Sequence, residues 1–461
     1  MADGNRLAFE EEDEGGATLG PRFVAAVVAA LDAADGAQIR DLCAELHPAD
    51  LADLIGLLNR DERRDLVALL GALLTADVLS ELDEGIRDDV LDQLDPKAVA
   101  AAISELDTDD AVYLLEDLDP EVQQEILKEV APEDRTAVEQ GLQYPEGSAG
   151  RLMQRELIAV PSYWTVGQVI DYMRETPDLP DDFYELIVVD PAYKPVGTVA
   201  LSDLLRSRRA VIIEDIADTD VETIAVETDQ EDVAYRFEQY GLVSAPVVDD
   251  SGRLVGVIMV DDVVDIIAEE ADEDIKRLGG VGDEDLSDTV VATTRYRFPW
   301  LVVNLATALL ASWVISWFEG SIAQIVALAV LMPIVASMGG NAGTQSLTVA
   351  VRAIATKELT SLNSARVIWR ETAVGLLNGI LFAVLMGAVA GFWFESLPLG
   401  LVMAAAMVIN MLAAGLSGVL IPVALDRLKI DPAVASSVFV TTVTDVVGFF
   451  AFLGLAALVL L

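Results

Sequence analysis

Three arrangements of apolar and polar positions follow one another along the chain. In the first, Leu82, Leu94, Leu106, Leu118 and Val130 recur every 12 residues, in LDEGIRDDVLDQ, LDPKAVAAAISE, LDTDDAVYLLED and LDPEVQQEILKE. An Asp follows each leucine, and Pro follows Asp95 and Asp119. Asp suits a helix N-cap, and Pro suits the first helical position, where its missing N–H costs nothing. Helices this short cannot bury an apolar face alone, so the pattern predicts a superhelical stack. In the second arrangement, Ile158-Ala159-Val160 leads through an amphipathic stretch to LIVVD and then GTVALSDLL (Gly197–Leu205). The same order returns from Ile224-Ala225-Val226 through APVVD to GVIMVDDVV (Gly256–Val264). Val- and Ile-rich runs separated by helix-like segments predict a duplicated α/β domain.

The third arrangement is a series of long apolar runs: Phe298–Phe318, Gly320–Val351, Thr372–Phe394, Ser396–Leu425 and Pro432–Leu461. Each is long enough to cross a hydrocarbon core of roughly 30 Å. The second is interrupted by Pro333 and Gly339-Gly340, and the fifth carries one charge, Asp445. Met1–Gly15 has neither the basic nor the apolar region of a signal peptide, so the first run serves as the insertion signal. Five spans put the two ends of the chain on opposite sides. Arg295 and Arg297 precede span one, Arg352, Lys357, Arg366 and Arg370 lie between spans two and three, and Arg427 and Lys429 precede span five. The connections at Glu319 and Glu395 have no Lys or Arg. The positive-inside rule then makes the N-terminal half cytoplasmic and the C-terminus extracytoplasmic, in the cell membrane and in contact with its lipid.

Charge sharpens this division. The 461 residues include 77 acidic and 29 basic side chains, a formal net charge of −48. From Val291 onward the count is nearly balanced, 8 basic to 7 acidic, so the excess belongs to the first half. Nucleic acid is excluded as a partner, because phosphate binding needs Lys and Arg. Lysine is scarce, and an acidic surface of this kind also fits a halophilic, salt-screened cytoplasm, so acidity has two causes. The single Cys43 and single His47 exclude an internal disulfide and a HExxH zinc protease; both read as ordinary helix or helix-end residues, and no enzyme chemistry is expected.

Two features carry candidate chemistry. Asp445 lies mid-span in TTVTDVVGFFAFLG, where an ionised group is tolerated only beside water or a cation. In PIVASMGGNAGTQS (Pro333–Ser346) the glycines allow either close helix approach or a backbone turned to expose carbonyls. Between the halves, Asp261, Asp262, Asp265, Glu269, Glu270, Asp272, Glu273 and Asp274 crowd an apparently helical stretch, either a solvated linker or a gating lever.

The duplicated α/β segment resembles a tandem pair of CBS domains, a module that often binds adenine nucleotides such as ATP. In that family an Asp after the last strand commonly meets the ribose, which points to Asp203 and Asp262; a simple helix N-cap Asp is the alternative at each. Taken with YPEGSAGRLM (Tyr144–Met153), SMGGNAGTQ (Ser337–Gln345) and TTVTDVVGF (Thr441–Phe449), the order of segments resembles the MgtE family of magnesium channels over nearly the whole chain. The fold class expected is multidomain, all-α in a short-helix superhelical N-domain, α/β in tandem CBS domains, then a connecting plug helix and a five-helix transmembrane domain. The boundaries are 1–24 for a disordered acidic N-terminus, 25–143 for the helical repeats, 144–210 and 211–268 for the CBS domains, 262–290 for the plug and 291–461 for the pore domain.

The resemblance further implies a homodimer whose pore is lined by spans two and five, with Gly339, Gly340, Asn341, Gln345 and Thr441 along it and Mg²⁺ held near Asp445. It implies closure at high cytoplasmic Mg²⁺ through regulatory ligands Asp262, Glu270, Glu273 and Asp274 on the plug, Asp229 in the second CBS domain, and an acidic residue near Asp109. Gly241 stands where the family has a carboxylate, and Tyr113 breaks the acidic pattern of the repeats. Sequence does not fix the ion, so transport of another divalent cation, Mn²⁺ or Co²⁺, is the nearest alternative. A membrane-anchored nucleotide sensor without transport is the other, and it leaves Asp445 and SMGGNAGTQ unexplained.

Overall fold

A computed structural model describes residues 19–177, 179–180, 183–281, 290–360, 362–434 and 436–461. They form two compact units that divide between Ala268 and Glu269. The expected N-terminal segment 1–24 is corrected at its end. Residues 1–18 lie outside the described residues, but Pro21–Asp32 is helical, with Pro21 at the first helical position and Phe23, Val27, Ala30 and Leu31 buried. Four buried side chains on one face outweigh the acidic run before them.

In the repeats, helices Glu84–Leu91, Pro96–Ile103, Thr108–Leu115 and Pro120–Glu129 begin at the 12-residue period. Asp83, Asp95, Asp107 and Asp119 are their N-cap residues, and Asp95 accepts a hydrogen bond from the Lys97 N–H at 2.9 Å. Leu82, Leu118 and Val130 enter one continuous core with residues of the earlier helices. His47 is a helix end, its Nδ1 accepting from the Ala49 N–H at 3.3 Å, and Cys43 is buried, which pushes its thiol up to about 11. Tyr113 breaks the acidic pattern for a physical reason: its ring lies 4.0 Å from the guanidinium carbon of Arg87, a fully buried cation that also pairs with Asp117.

Each half of the expected CBS pair holds a three-stranded sheet. Strands β1 (Ala159–Pro161) and β2 (Glu185–Val189) run parallel, and β2 pairs antiparallel with β3 (Pro195–Ala200). Strands β4 (Ile224–Ala225), β5 (Ser244–Val248) and β6 (Leu254–Met259) repeat that order. The duplication reaches the turns. Asp190 Oδ1 accepts from the Ala192 and Lys194 N–H groups, as Asp249 Oδ1 does from Ser251 and Arg253. The third turn residue is left-handed in both, Tyr193 in one and Gly252 in the other. Gly241 is left-handed too, φ 63°, and ends the Gln230–Tyr240 helix, so the backbone explains why no side chain stands there.

The connecting helix runs Val260–Gly279, while residues 282–289 of the expected plug lie outside the described residues. Among the described residues, five helices are long and apolar enough to cross a membrane: span one Val290–Ser316, span two Ala327–Ala355, span three Ser364–Trp393, span four Leu397–Arg427 and span five Ser436–Val459. The second expected run, from Gly320, is two helices, since Glu319–Gln324 ends before span two begins. Span two then continues through Pro333 and Gly339-Gly340 without interruption. Of the two readings of those glycines, close approach holds.

Span four is the central helix, packed on spans two, three and five, and over half of its apolar stretch is buried. Spans three and four touch through small residues. A methyl built on Gly415 would stand 2.6 Å from the Glu371 carbonyl oxygen, and one on Gly400 2.5 Å from that of Gly387. Such contacts replace the hydrophobic drive that lipid cannot supply.

Candidate functional site

In the first unit the acidic residues converge at one place. The helix Thr108–Leu115 is fixed by Glu156, which accepts from the Thr108 N–H at 3.1 Å and from its hydroxyl at 2.8 Å. That anchor presents Asp109 to Asp262, and the two carboxyls are close enough to interact. Asp262 accepts from the Met259 N–H at 3.4 Å. Two carboxyls can share a hydrogen bond only when one holds a proton. Burial raises the Asp109 carboxyl well above the usual carboxylate range, with the Asp262 and Asp110 charges adding to the effect. Burial, with Asp261 and Asp110, pushes Asp262 up to about 7. Asp110 is pushed up to about 6 by burial and by Asp107, Glu81, Asp261 and Asp77. Asp110, Asp261, Asp107 and Glu81 were not singled out as ligands from sequence. Their grouping comes from the fold, since Glu81 and Asp110 are far apart along the chain.

Asp203 and Asp262 each stand three residues past the end of their strand, inside the first helical turn, so neither is an N-cap. Asp203 is exposed, whereas Asp262 is half-buried against Asp109. The two matching aspartates of the CBS pair therefore face different surroundings. Asp229 is an N-cap, accepting from the Glu231 N–H at 3.0 Å.

In the second unit, the end of the connecting helix meets the residues before span five. Arg277 pairs with Glu273 on its own helix and with Asp431. Burial pushes the Asp274 carboxyl up to about 6, with Asp431 and Glu270 adding negative charge. Leu278 packs with Leu347 and Val351 of span two and Val440 of span five. Asp431 was missed because it follows Arg427 and Lys429 and reads as an ordinary loop acid.

Spans two and five carry the remaining candidates. Asn341, Thr344, Gln345 and Thr348 are exposed and recur at i, i+3, i+4 and i+7, a polar stripe along span two. Gly343, on the opposite side, is packed, since a methyl there would stand 2.5 Å from Val440, and Gly340, one turn before Thr344 at the edge of the stripe, would place one 3.8 Å from Thr441 Cγ2. Asp445 is half-buried, one turn from Thr441 and from Gly448, and has no hydrogen bond or ion pair among the described residues. The threonines give it nothing. Thr441 and Thr442 donate to the Val438 carbonyl, and Thr444 to that of Thr441. On the far side of span two, Ser346 Oγ donates to Glu371 Oε2 of span three at 3.0 Å.

Among the described residues no three His, Cys, Asp or Glu side chains close into a ready metal-binding set. The donors present are carboxylate oxygens in pairs. Such pairs fit a hard cation that keeps most of its water, which is how Mg²⁺ is commonly bound.

Three family models match this chain. They describe the MgtE intracellular N domain over residues 46–147, CBS domains over 149–210 and 213–269, and the MgtE divalent cation transporter over 332–455. The magnesium transporter MgtE of Bacillus subtilis (strain 168) is 33% identical over 321 residues, which is 69% of this chain and 71% of that protein. The chain belongs to the MgtE family. The MgtE magnesium transporter of Thermus thermophilus is 36% identical over 330 residues, 71% of this chain and 73% of that one. A crystal structure of the cytosolic domain of the Mg²⁺ channel MgtE in complex with ATP is 32% identical, covers 53% of this chain and 99% of that one, and superposes at a TM-score of 0.48. As an MgtE protein the chain crosses the membrane several times and keeps its N domain inside the cell.

The raised carboxyls of this MgtE chain set a pH dependence. Protons bound by Asp109 and Asp262 stabilise the folded first unit fully below about pH 4, the ordinary range of these groups. That stabilisation is lost as pH rises through about 7, where Asp262 ionises. A divalent cation can then take the proton's place. In chelator, raising pH from about 6 to about 8 is expected to speed hydrogen exchange of the Thr108–Leu115 helix after correction for intrinsic rates, and Mg²⁺ is expected to reverse it. Exchange indifferent to both would remove the pair as a switch.

Proposed function

We propose that this chain conducts Mg²⁺ across the membrane as a homodimer, along a path lined by spans two and five and past Asp445. The observation that carries the reading is the polar stripe Asn341, Thr344, Gln345 and Thr348, exposed on a membrane-spanning helix whose neighbour bears an unpaired carboxylate. A polar stripe facing lipid would be costly, so it belongs beside water or a second subunit. Hydrated Mg²⁺ needs few direct ligands, and two Asp445 side chains across a dimer axis supply opposing charge through its water shell. Relatives named magnesium transporters favour Mg²⁺ over Mn²⁺ or Co²⁺ as cargo.

Gating follows from the same electrostatics. At low cytoplasmic Mg²⁺ the carboxylates Asp109 and Asp262, and Glu270, Glu273, Asp274 and Asp431, repel, and the connecting helix is released. Bound Mg²⁺ draws them together and closes the path, a shift between two states that differ in affinity for the ion. Asp229 joins this set as a ligand in the second CBS domain. Asp203, exposed and one strand-end removed from the switch, accepts the ribose hydroxyls of an adenine nucleotide such as ATP.

Three measurements test this reading. Asp445→Asn in liposomes is expected to assemble normally and to lose Mg²⁺ uptake and selectivity over monovalent ions, whereas Asp445→Glu keeps part of both; wild-type uptake by Asp445→Asn would end the proposal. A cysteine at Leu461, in a Cys43→Ser background, is expected to label from outside intact cells, which places the C-terminus there; labelling only after lysis would reverse the orientation. Asp203→Ala is expected to weaken ATP binding by the full-length protein in calorimetry, and unchanged affinity would leave Asp203 as a surface acid.

A further inference from the structure

We infer that Asn410 of span four is a positioning residue for the conduction path, setting the separation of spans two and five. The inference rests on the reading of those two spans as the path. Asn410 is 1% exposed and is the one amide side chain of span four, whose buried residues are apolar apart from it and Ser417. Its Nδ2 donates to the Val335 carbonyl oxygen of span two at 2.7 Å. That bond fixes the orientation of the amide, since the carbonyl can only accept. The same amide sits between two glycines on two different helices. A methyl on Gly339 of span two would stand 2.2 Å from Nδ2, and one on Gly448 of span five 2.7 Å from it.

The three residues make one wedge. Without side chains at 339 and 448, spans two and five both close onto the amide, and its width becomes the distance between them. Gly339 lies two residues before Asn341, and Gly448 lies three after Asp445, so the wedge is at the level of the proposed pore side chains. A leucine would fill comparable space without hydrogen-bonding needs. The amide instead leaves Oδ1 buried and without a partner among the described residues, a cost that packing alone does not explain. The bond to Val335 accounts for it, because it holds span two against rotation as well as approach.

Spacing can be read directly, apart from transport. A methyl on Gly340 would lie 3.8 Å from Thr441 Cγ2, so side chains at 340 and 441 touch and a cysteine pair there reports their approach. In a Cys43→Ser background, Gly340→Cys with Thr441→Cys is expected to cross-link rapidly under mild oxidation. Adding Asn410→Leu, or Gly448→Ala that pushes the amide off Val335, is expected to slow this about tenfold, the order for one buried hydrogen bond. The same single variants without the cysteines are expected to lower Mg²⁺ over K⁺ selectivity in liposomes by a similar factor. In Asn410→Ala the amide is gone, so a further Gly448→Ala is expected to cost nothing more.

Unchanged cross-linking in both Asn410→Leu and Gly448→Ala, with normal elution of the solubilised protein, overturns the inference. So does a Gly448→Ala effect that persists in full on top of Asn410→Ala. Slowed cross-linking with wild-type selectivity keeps Asn410 as the spacer of the two helices and removes them as the path. If Asn410→Leu does not assemble, Gly448→Ala, which keeps every polar group, decides the question alone.

Discussion

A buried polar group without a partner costs more than most contacts contribute, and both halves of this protein are organised around that constraint. In the first unit it falls on Asp109 and Asp262, which can lie side by side only while one holds a proton or both hold a cation. In the second it falls on the membrane helices, where every amide, hydroxyl and carboxyl must find an acceptor, a donor or water. Ser346 finds Glu371, Asn410 finds Val335, and Thr441, Thr442 and Thr444 turn back on their own helix. Asp445 is left over, and so are Asn341 and Gln345. The groups that the fold does not satisfy are the ones left for water, an ion or a second subunit.

Much of this was legible from the chain itself. The 12-residue period places four helix starts, because an N-cap Asp and a first-turn Pro are local signals. The five apolar runs are equally local. Resolution failed where geometry depends on a partner distant in sequence. Pro333 and Gly339-Gly340 read as an interruption of span two, yet the helix is continuous, and Gly339 makes room for the amide of a different helix. Asn410 itself carried a readable signal, the one amide in a long apolar run, but Asp445 drew attention by its charge. Asp431, Arg277 and Glu156 carried none, since each is an ordinary charged residue until the fold sets it against its partners.

The two CBS domains show how duplication separates roles. Their turns, bulges and strand orders match, and Asp203 and Asp262 occupy equivalent positions. What differs is the neighbour. Asp262 begins a 20-residue helix and meets Asp109, while Asp203 begins a short one and stays in solvent. One inherited position thus stands against another carboxyl in one copy and in solvent in the other.

The clamp of Glu156 on Thr108 has a consequence for how the N domain can vary in length. A stack of short repeats is in effect one-dimensional, and each unit knows only its neighbours. Because the stack is tied down at Thr108, near the CBS pair, the pose of Asp109 is set from that end. Helices gained or lost at the far end of the stack would reach Asp109 only through the units between. The pose of Asp109 is therefore set close to the CBS pair rather than at the start of the stack.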